Sequence, residues 1–283
     1  MCGIFGLYNH SGFDIDLIKE TLKKMSHRGP DNSSIWQDKE KKIILGHNRL
    51  SIIDLSEKGS QPMFDNSTNL VIVFNGEIYN YKELKAKLSK KYTFYSSSDT
   101  EVLLKAYDYW KEDCLNYLNG MFAFTIFDIN NNKIFSARDR SGQKPFFYTF
   151  INNNFIFGSE LKSILPLIHK NEIKIEKTSL NCLLEFGYIP NFNCIYQNFK
   201  KLSAGDYLIF DLNTKSLNVK SYWTPKIPIK KSIEIIDDKI NQFSTIFNNA
   251  VKRHTLSDVP IGVLLSGGVD SSLVTAFASK NVN

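Results

Sequence analysis

The sequence predicts an α+β protein, with a large β-sheet and a few helices in its first two-thirds and the start of an α/β unit near its end. Three observations support this. Short runs rich in β-branched and aromatic residues alternate with Asn, Asp, Gly and Pro turns over the first two-thirds of the chain. Two groups of apolar residues recur there at helical spacing. Near residue 260, an apolar run, a glycine-rich turn and a helical pattern follow one another.

The expected strands are short, and their number implies at least one large sheet. They are the segments CGIFGLY, KIILGHN, RLSIID, NLVIVFN, MFAFTIFD, KIFSAR, PFFYTF and NFIFGS. The two helical stripes consist of Ile15, Ile18, Leu22 and Met25, and of Val102, Leu103, Ala106, Tyr107 and Trp110. Because apolar residues three and four positions apart share one helix face, both stripes are expected to face the core.

Proline-containing segments at 189–193 and 223–231 interrupt this pattern, and we expect a domain boundary near the second. A long amphipathic helix is predicted beyond it, from Ile233, Ile236, Ile240, Phe243, Phe247 and Val251. IGVLL at 261–265 then predicts a fully apolar strand, SGGVDSS at 266–272 a turn, and LVTAFASK a helix. This order is typical of a phosphate-binding α/β unit.

Composition restricts the function further. The 283 residues are 42% hydrophobic and 13% aromatic, which supports a sizeable core. The net charge of +6 comes from lysines spread along the chain, so it indicates a solvated surface and no nucleic-acid partner. No apolar stretch reaches the ~20 residues that span a bilayer and no signal peptide is recognisable, so we expect a cytoplasmic protein without a membrane partner. The cysteines lack CxxC spacing, which predicts neither zinc nor disulfides.

Cys2, directly behind the initiator methionine, is the first candidate catalytic residue. If Met1 is removed, Cys2 carries both a thiol and a free α-amine, which together are a nucleophile and a base. Taken alone, Cys2 is also compatible with a small apolar residue that opens a buried strand. The polar segments SHRGPDNSS and FNGEIYNY follow or interrupt apolar runs, and polar loops at strand ends are where sites are usually built.

A series of motifs carries a family resemblance. In chain order they are CGIFG, HRGPD (27–31), GHNRLSIID (46–54), QP (61–62), FNGEIYNY (74–81), SDTE (98–101), RDRSGQKPFFY (138–148) and FGSELKS (157–163). Together they resemble the glutaminase domain of class II glutamine amidotransferases. DVPIGVLLSGGVDSS at 258–272 narrows the resemblance to the glutamine-hydrolysing asparagine synthetases.

The resemblance implies an αββα four-layer sandwich of the N-terminal-nucleophile type over residues 2–225. Residues 226–283 would then be the start of an incomplete α/β ATP-pyrophosphatase domain, so we expect a chain truncated early in the synthetase part. The family implies Cys2 as nucleophile, with the oxyanion donors Asn75 and Gly76. It also implies glutamine-binding roles for Arg49, Leu50, Ile52, Ile53, Asn75, Gly76, Glu77 and Asp99. Of these, Arg49 would hold the α-carboxylate and Asp99 the α-ammonium.

The SGGVDSS string lacks the lysine of a Walker loop and resembles instead the pyrophosphate-binding loop of enzymes that split ATP between its α- and β-phosphates. The residues implied in ATP binding are Leu265, Ser266, Gly267, Gly268, Asp270, Ser271 and Ser272. Asp270 is the carboxylate expected near Mg²⁺. The complete enzyme would therefore use ATP and Mg²⁺, and the glutaminase half-reaction would need no cofactor.

In the family reaction, ammonia from glutamine amidates aspartate through an aspartyl-adenylate. The implied small-molecule partners are glutamine, aspartate and ATP, and a separate chain could supply the rest of the synthetase domain. A homodimer is compatible with the sequence. Two alternatives stay open: a class II amidotransferase with another acceptor, against which the ATP loop argues, and a non-catalytic regulatory or interaction protein that kept the fold.

Overall fold

The computed structural model describes residues 1–9, 12–190, 193–226 and 236–281. These residues divide into two compact units. The first contains residues 1–51 and 56–224, and the second contains residues 52–55 together with the described residues from 225 onward. In the described part of the chain, no helix is long and apolar enough to cross a membrane.

The strands and helices of the described residues have the following bounds. The strands are β1 (Gly3–Tyr8), β2 (Asn32–Gln37), β3 (Ile43–Arg49), β4 (Met63–Asp65), β5 (Leu70–Ile78), β6 (Gly120–Asp128), β7 (Lys133–Arg138), β8 (Phe147–Ile151), β9 (Asn154–Gly158), β10 (Phe199–Lys201), β11 (Asp206–Asp211) and β12 (Ser216–Ser221). The helices are α1 (Ile15–Lys23), α2 (Tyr81–Leu88), α3 (Asp99–Trp110), α4 (Lys177–Phe186), α5 (Ile236–His254) and α6 (Val269–Asn281).

The strands of the first unit form two six-stranded antiparallel sheets. The first sheet has the order β10-β8-β9-β1-β3-β2 and the second the order β12-β11-β7-β6-β5-β4. The chain's first strand therefore lies inside a sheet, bonded to β3 on one side and to β9 on the other. In the second sheet, β5 is paired with β6 along its whole length but with β4 only over Leu70–Ile72.

The two sheets stack face to face with helices outside them, which is the expected αββα arrangement. One core cluster joins the inner faces, with Ile4 and Leu45 from the first sheet and Val73 from the second. A separate cluster packs the outer face of the first sheet, including Phe5, against Leu22 of α1. Helix α3 packs on β5 of the second sheet. Alternate residues of β1 thus enter different cores, which explains why this strand is apolar at every position.

Close packing also accounts for Gly6 in the middle of β1. A Cβ atom at this position would overlap the ring of Phe157 and approach Leu45 Cδ2 to 3.0 Å. The Phe157 ring is in turn stacked on Phe146, with ring centroids 5.3 Å apart. The glycine therefore leaves the space that two stacked aromatic rings occupy.

Seven of the expected strand segments form strands, namely β1, β3 and β5 to β9, and both helical stripes lie on α1 and α3 or directly after them. The expected strand RLSIID is wrong, because β3 ends at Arg49. Beyond this residue its neighbours supply no further partners, since β1 begins opposite Asn48 and β2 opposite Arg49. The sequence also missed β2, β4, β10, β11 and β12, which are short, polar or partly exposed.

The second unit contains α5 and α6, and Phe247 of α5 contacts Phe277 of α6 with ring centroids 5.3 Å apart. Ile233, expected to start α5, lies outside the described residues. The expected buried strand IGVLL is wrong, because 261–265 has no regular structure and Leu264 is 95% exposed. A strand needs a neighbour to bond its backbone, and no strand occurs among the described residues of this unit.

Candidate active site

The Cys2 side chain lies directly before β1 and faces the main chain of Leu50. The Leu50 N–H donates to Cys2 Sγ at 3.4 Å, and Sγ lies 3.6 Å from the Leu50 carbonyl oxygen. Burial raises the pKa of the Cys2 thiol above its ordinary value, and the Leu50 hydrogen bond only partly opposes this. The thiol is therefore neutral near pH 7, and its reaction as a nucleophile would require a base.

The backbone of Cys2 is held by Arg28, a residue to which the sequence analysis gave no role. Arg28 Nε donates to the Cys2 carbonyl oxygen at 3.0 Å, and its Nη1 donates to Glu160 at 3.0 Å. Lys162 and His27 also contact this carboxylate, so hydrogen bonds outweigh the effect of burial and lower the pKa of Glu160 to about 2. The only sequence signal was that Arg28 and Glu160 lie within the HRGPD and FGSELKS motifs.

Asn75 and Gly76 lie on β5. At these residues β5 is paired with β6 on one side, while its short pairing with β4 on the other side has ended at Ile72. Asn75 is 1% exposed, and its side-chain Nδ2 is buried without a hydrogen-bond acceptor among the described residues. A buried amide donor without an acceptor costs about 1–3 kcal/mol. A bound carbonyl oxygen would satisfy this donor.

Gly76 lies against the neighbouring strand β6. A Cβ atom here would overlap the Met121 carbonyl oxygen and lie 2.7 Å from Phe122 Cα. Only glycine allows this approach between β5 and β6 at the point where the Asn75 amide must be presented. The residue type at position 76 therefore has a packing reason in addition to the expected oxyanion role of its N–H.

Asp99 begins α3, which Ser98 caps by accepting the Thr100 N–H at 3.2 Å. The carboxylate is 4% exposed, and its Oδ2 accepts the Ile78 N–H of β5 at 2.9 Å. Burial, together with the negative charge of Glu77, raises the pKa of Asp99 to about 7. A bound cation would favour the ionised form of this carboxyl group.

Arg49 ends β3 and is 7% exposed. Its Nη1 donates to the Ser56 carbonyl oxygen at 2.9 Å and lies 3.5 Å from Ser60 Oγ. The charges of Arg49 and Asp99 both act on the Cys2 thiol, the first lowering and the second raising its pKa.

Lys144 is a second residue that the sequence analysis missed. It is 7% exposed, and burial lowers the pKa of its ammonium group while the nearby charges of Glu77 and Cys2 raise it. Glu77 itself is half-buried at the end of β5. The RDRSGQKPFFY motif was the only sequence signal for this lysine.

The first unit thus brings together most of the residues expected to bind and hydrolyse glutamine. Cys2 contacts Leu50 directly. The charges of Arg49 and Asp99 act on the Cys2 thiol, and the charge of Glu77 acts on Asp99. Ile52 and Ile53 group with the second unit, where the Ile52 carbonyl accepts the Asp258 N–H at 2.9 Å. Their expected part in glutamine binding stays a prediction.

The expected ATP loop lies in the second unit, directly before and within the first turn of α6. Gly267 has a φ of +82°, a backbone conformation that favours glycine. Ser271 Oγ lies 3.0 Å from Ser266 Oγ and donates to the Gly268 carbonyl at 3.1 Å. The side chains of Leu265, Ser266, Asp270 and Ser272 are exposed. The loop presents a helix N-terminus to solvent, which favours an anion such as a phosphate group.

A resident metal site is not built at this loop. Among the described residues, no cluster of three or more His, Cys, Asp or Glu side chains could hold a metal ion. Asp270 is the only carboxylate of the loop, and Mg²⁺ takes six oxygen ligands. A magnesium ion here would need phosphate oxygens and water for the remaining positions, so it would arrive with its nucleotide.

Comparison with known families identifies both parts of the chain. Residues 1–223 match the glutamine amidotransferase domain, and residues 242–283 match the asparagine synthase family. The first match covers well over half of the sequence. The chain therefore belongs to the glutamine amidotransferase domain family, as its motifs indicated.

Curated relatives support the same assignment. A protein of Methanocaldococcus jannaschii, provisionally named a glutamine-hydrolyzing asparagine synthetase, is 43% identical over 97% of this chain and 56% of its own length. Asparagine synthetase (glutamine-hydrolyzing) 3 of Bacillus subtilis is 39% identical over 99% of this chain and 45% of its own length. The chain thus spans about half the length of the curated relatives it matches.

A solved structure confirms the fold. The glutamine phosphoribosylpyrophosphate amidotransferase of Bacillus subtilis superposes with a TM-score of 0.56 at 19% identity, over 99% of this chain and 64% of its own. At this identity the likeness concerns the fold alone. It agrees with the two antiparallel sheets and outer helices of an N-terminal-nucleophile amidotransferase.

Arg49 and Asn75 are expected to affect different kinetic constants for glutamine. Arg49→Ala should raise KM about 10- to 100-fold, because a charge-assisted carboxylate contact is lost. Asn75→Ala should lower kcat about 100- to 1,000-fold, because an oxyanion donor is lost. Initial rates of glutamate release measure both, with Asn75→Asp as an isosteric variant that also cannot donate. A change in KM alone for Asn75→Ala would show that this amide is not an oxyanion donor.

The KM for glutamine should depend on pH through Asp99. Since burial raises the pKa of Asp99 to about 7, the carboxyl group becomes neutral as pH falls below that value and loses its attraction for an ammonium group. KM should rise by up to about tenfold per pH unit below pH 7. Steady-state kinetics between pH 5.5 and about 8.5 measure this. Asp99→Asn should have a high KM that no longer changes over this range, and the same pH profile in that variant would contradict the assignment.

Proposed function

We propose that this chain hydrolyses L-glutamine to glutamate and ammonia. The observation that carries the proposal is the buried Asn75 amide, which finds no acceptor in the described part of the chain and lies on the strand that also contributes the Ile78 N–H to Asp99. A structural asparagine in a β-strand would have bonded its amide to the protein. An amide kept open beside the elements that hold a cysteine, an arginine and an aspartate fits a site for a free amino acid with a side-chain carboxamide.

The chemistry follows from the chain's own groups. Once Met1 is removed, the α-amine belongs to Cys2 and accepts the thiol proton as Sγ bonds to the amide carbon of glutamine. The oxyanion that forms receives hydrogen bonds from Asn75 Nδ2 and the Gly76 N–H. The protonated amine then gives its proton to the leaving nitrogen, the C–N bond breaks, and ammonia departs. Water hydrolyses the remaining thioester to glutamate and restores the thiol.

Burial of the chain terminus supports the amine as base. The terminal amine of Met1 already has its pKa lowered by burial, with the charges of Lys144 and Arg28 acting in the same direction. A depressed pKa leaves more of an amine unprotonated near neutral pH. We infer that the Cys2 amine, exposed by loss of Met1, experiences the same positive surroundings.

Arg49 and Asp99 would bind the two charged groups of the substrate. Arg49 offers a planar fork to the α-carboxylate, and Asp99 accepts the α-ammonium. Both side chains are buried, so water would screen their attraction for the substrate only weakly. Leu50 and Glu77 would line the same pocket, and the part of Ile52 and Ile53 in glutamine binding stays a prediction.

We propose further that ammonia from this reaction serves ATP-dependent amidation of aspartate to asparagine, as the names of the curated relatives suggest. Residues 2–225 would be the glutaminase and 226–283 the start of the synthetase domain. ATP would bind to Leu265, Ser266, Gly267, Gly268, Asp270, Ser271 and Ser272, with Mg²⁺ near Asp270. The setting would be the cytoplasm, where the thiol stays reduced.

Glutamine hydrolysis should require a free Cys2 terminus. Cys2→Ala, or a tag that remains in front of Cys2, should abolish glutamate release, because the first removes the nucleophile and the second converts the base into an amide. Intact mass and a glutamate-release assay check both properties. The matched control is the same tagged protein after a protease has removed every residue ahead of Cys2. Full activity with the tag in place would refute the α-amine as base.

The 283-residue chain alone should release ammonia from glutamine but form no asparagine from aspartate, Mg-ATP and ammonia. Nucleotide sites in doubly wound sheets use loops from several strands, and no strand occurs in the described residues of the second unit. Chromatographic detection of asparagine tests this. Amide exchange should be fast across residues 258–281 and slow in β1 and β5. Asparagine formed by the chain alone would contradict it.

A further inference from the structure

Beyond its short pairing with β4, one edge of β5 has no neighbouring strand among the described residues. Continuing the register of Met63 with Ile72 would place residue 61 opposite Phe74, but β4 begins only at Met63 and does not include residue 61. In an antiparallel ladder, alternate residues point their N–H groups to the same side. The N–H groups of Phe74, Gly76 and Ile78 therefore all point away from β6, along what we call the β5 edge.

The first N–H of the β5 edge is bonded by a side chain instead of a strand. The main-chain carbonyl of Gln61 accepts the Ser34 hydroxyl, while its side-chain Oε1 accepts the Phe74 N–H at 2.6 Å. His47 Nε2 lies 3.1 Å from the Phe74 carbonyl oxygen. Since burial lowers the pKa of His47 to about 3, the ring is neutral and donates from Nε2. Both the N–H and the carbonyl group of Phe74, directly before Asn75, are thus hydrogen-bonded to side chains.

The third N–H of the β5 edge, that of Ile78, is bonded by Asp99. Gln61 also reaches this end, because its Nε2 donates to Thr100 Oγ1 at 3.1 Å. Two hydrogen bonds of the Gln61 side chain therefore join β5 at Phe74 to α3 at Thr100, and the carboxylate of Asp99, one residue before Thr100, bonds back to β5 at the Ile78 N–H. The Gly76 N–H lies on the β5 edge between the two bonded groups.

We propose that Gln61 is a positioning residue that sets the distance between the oxyanion donor Gly76 and the ammonium acceptor Asp99, and so selects glutamine by its length. The inference rests on the proposed glutaminase function. Gly76 lies on β5 and Asp99 on α3. The Gln61 side chain bonds to each of these elements, to the strand at the Phe74 N–H and to the helix at the Thr100 hydroxyl. Glutamine has one methylene more than asparagine, so a fixed separation admits one of them with both ends bound.

Burial makes this connection between β5 and α3 stiff. Gln61 is 7% exposed, Thr100 2% and Asp99 4%, so water does not replace a lost partner at these positions. A buried hydrogen bond that loses one partner leaves the other group unsatisfied, and the backbone around it shifts to recover a bond. A bond that only stabilised the fold would, when removed, affect every reaction of Cys2 to the same extent. A bond that sets the substrate length would affect only ligands that touch both ends.

The test compares Thr100→Val, which keeps the shape but removes the acceptor, with Thr100→Ser, which keeps the hydroxyl. Cys2 is labelled with 6-diazo-5-oxo-L-norleucine, which has the length of glutamine, with its one-carbon-shorter homologue 5-diazo-4-oxo-L-norvaline, and with iodoacetamide. Labelling rates are followed by mass spectrometry of the N-terminal peptide. Iodoacetamide touches neither end of the site and reports the reactivity of the thiol.

In Thr100→Val, the ratio of the labelling rates for the longer and the shorter analogue should fall about tenfold, as expected for a lost buried hydrogen bond. The iodoacetamide rate should stay within about twofold, and Thr100→Ser should keep the ratio of the natural protein. An unchanged ratio in Thr100→Val overturns the proposal, as does an equal decrease with all three reagents. If Thr100→Val does not fold by circular dichroism, Thr100→Ala provides the same comparison.

The proposed function and this inference fail in different ways. If the natural protein is labelled no faster by the glutamine-length analogue than by the shorter one, the glutamine site itself is wrong. If the natural protein discriminates strongly and Thr100→Val discriminates equally well, the glutamine site stands and the positioning role of Gln61 is wrong.

Discussion

The structure depends on the position of β1 in the interior of the first sheet. Its backbone is bonded to β3 and β9, and its side chains enter the cores on both faces of that sheet. A strand held in this way cannot shift without breaking two ladders and two cores, so the residue directly before it is fixed in space. Arg28 and Leu50 then hold the carbonyl and the thiol of Cys2. The first residues of a chain are normally the most mobile part of a protein, and here they are held in place.

Burial around this terminus favours uncharged groups. It raises the pKa of the Cys2 thiol and of Asp99, and it lowers that of the terminal amine and of Lys144. Because the folded state holds the Asp99 proton more tightly than the unfolded chain, this residue lowers the free energy of unfolding as pH rises from about 4 to about 7. The site is therefore arranged at some expense of stability, and a zwitterionic substrate would supply the missing opposite charges.

The second sheet offers backbone N–H groups to side chains because its β4–β5 ladder is incomplete. Where β4 ends, the N–H groups of β5 turn to the side chains of Gln61 and Asp99, with the Gly76 N–H between them. A complete ladder would have used these groups for backbone pairing. The two sheets thus differ: the continuous first sheet fixes the position of Cys2, and the interrupted second sheet leaves backbone N–H groups to side chains.

The sequence by itself determined the α+β class and the segments of β1, β3 and β5 to β9, and it predicted Cys2, Asn75, Gly76, Arg49 and Asp99 as site residues. It did so because local periodicity and motif order need no knowledge of neighbours. Only the tertiary structure decided that RLSIID leaves the sheet and that IGVLL stays unpaired, since a strand exists only where a partner bonds it. The contacts of Arg28, Gln61 and Thr100 were likewise invisible, because their hydrogen bonds join residues that are 13 to 132 positions apart in the chain.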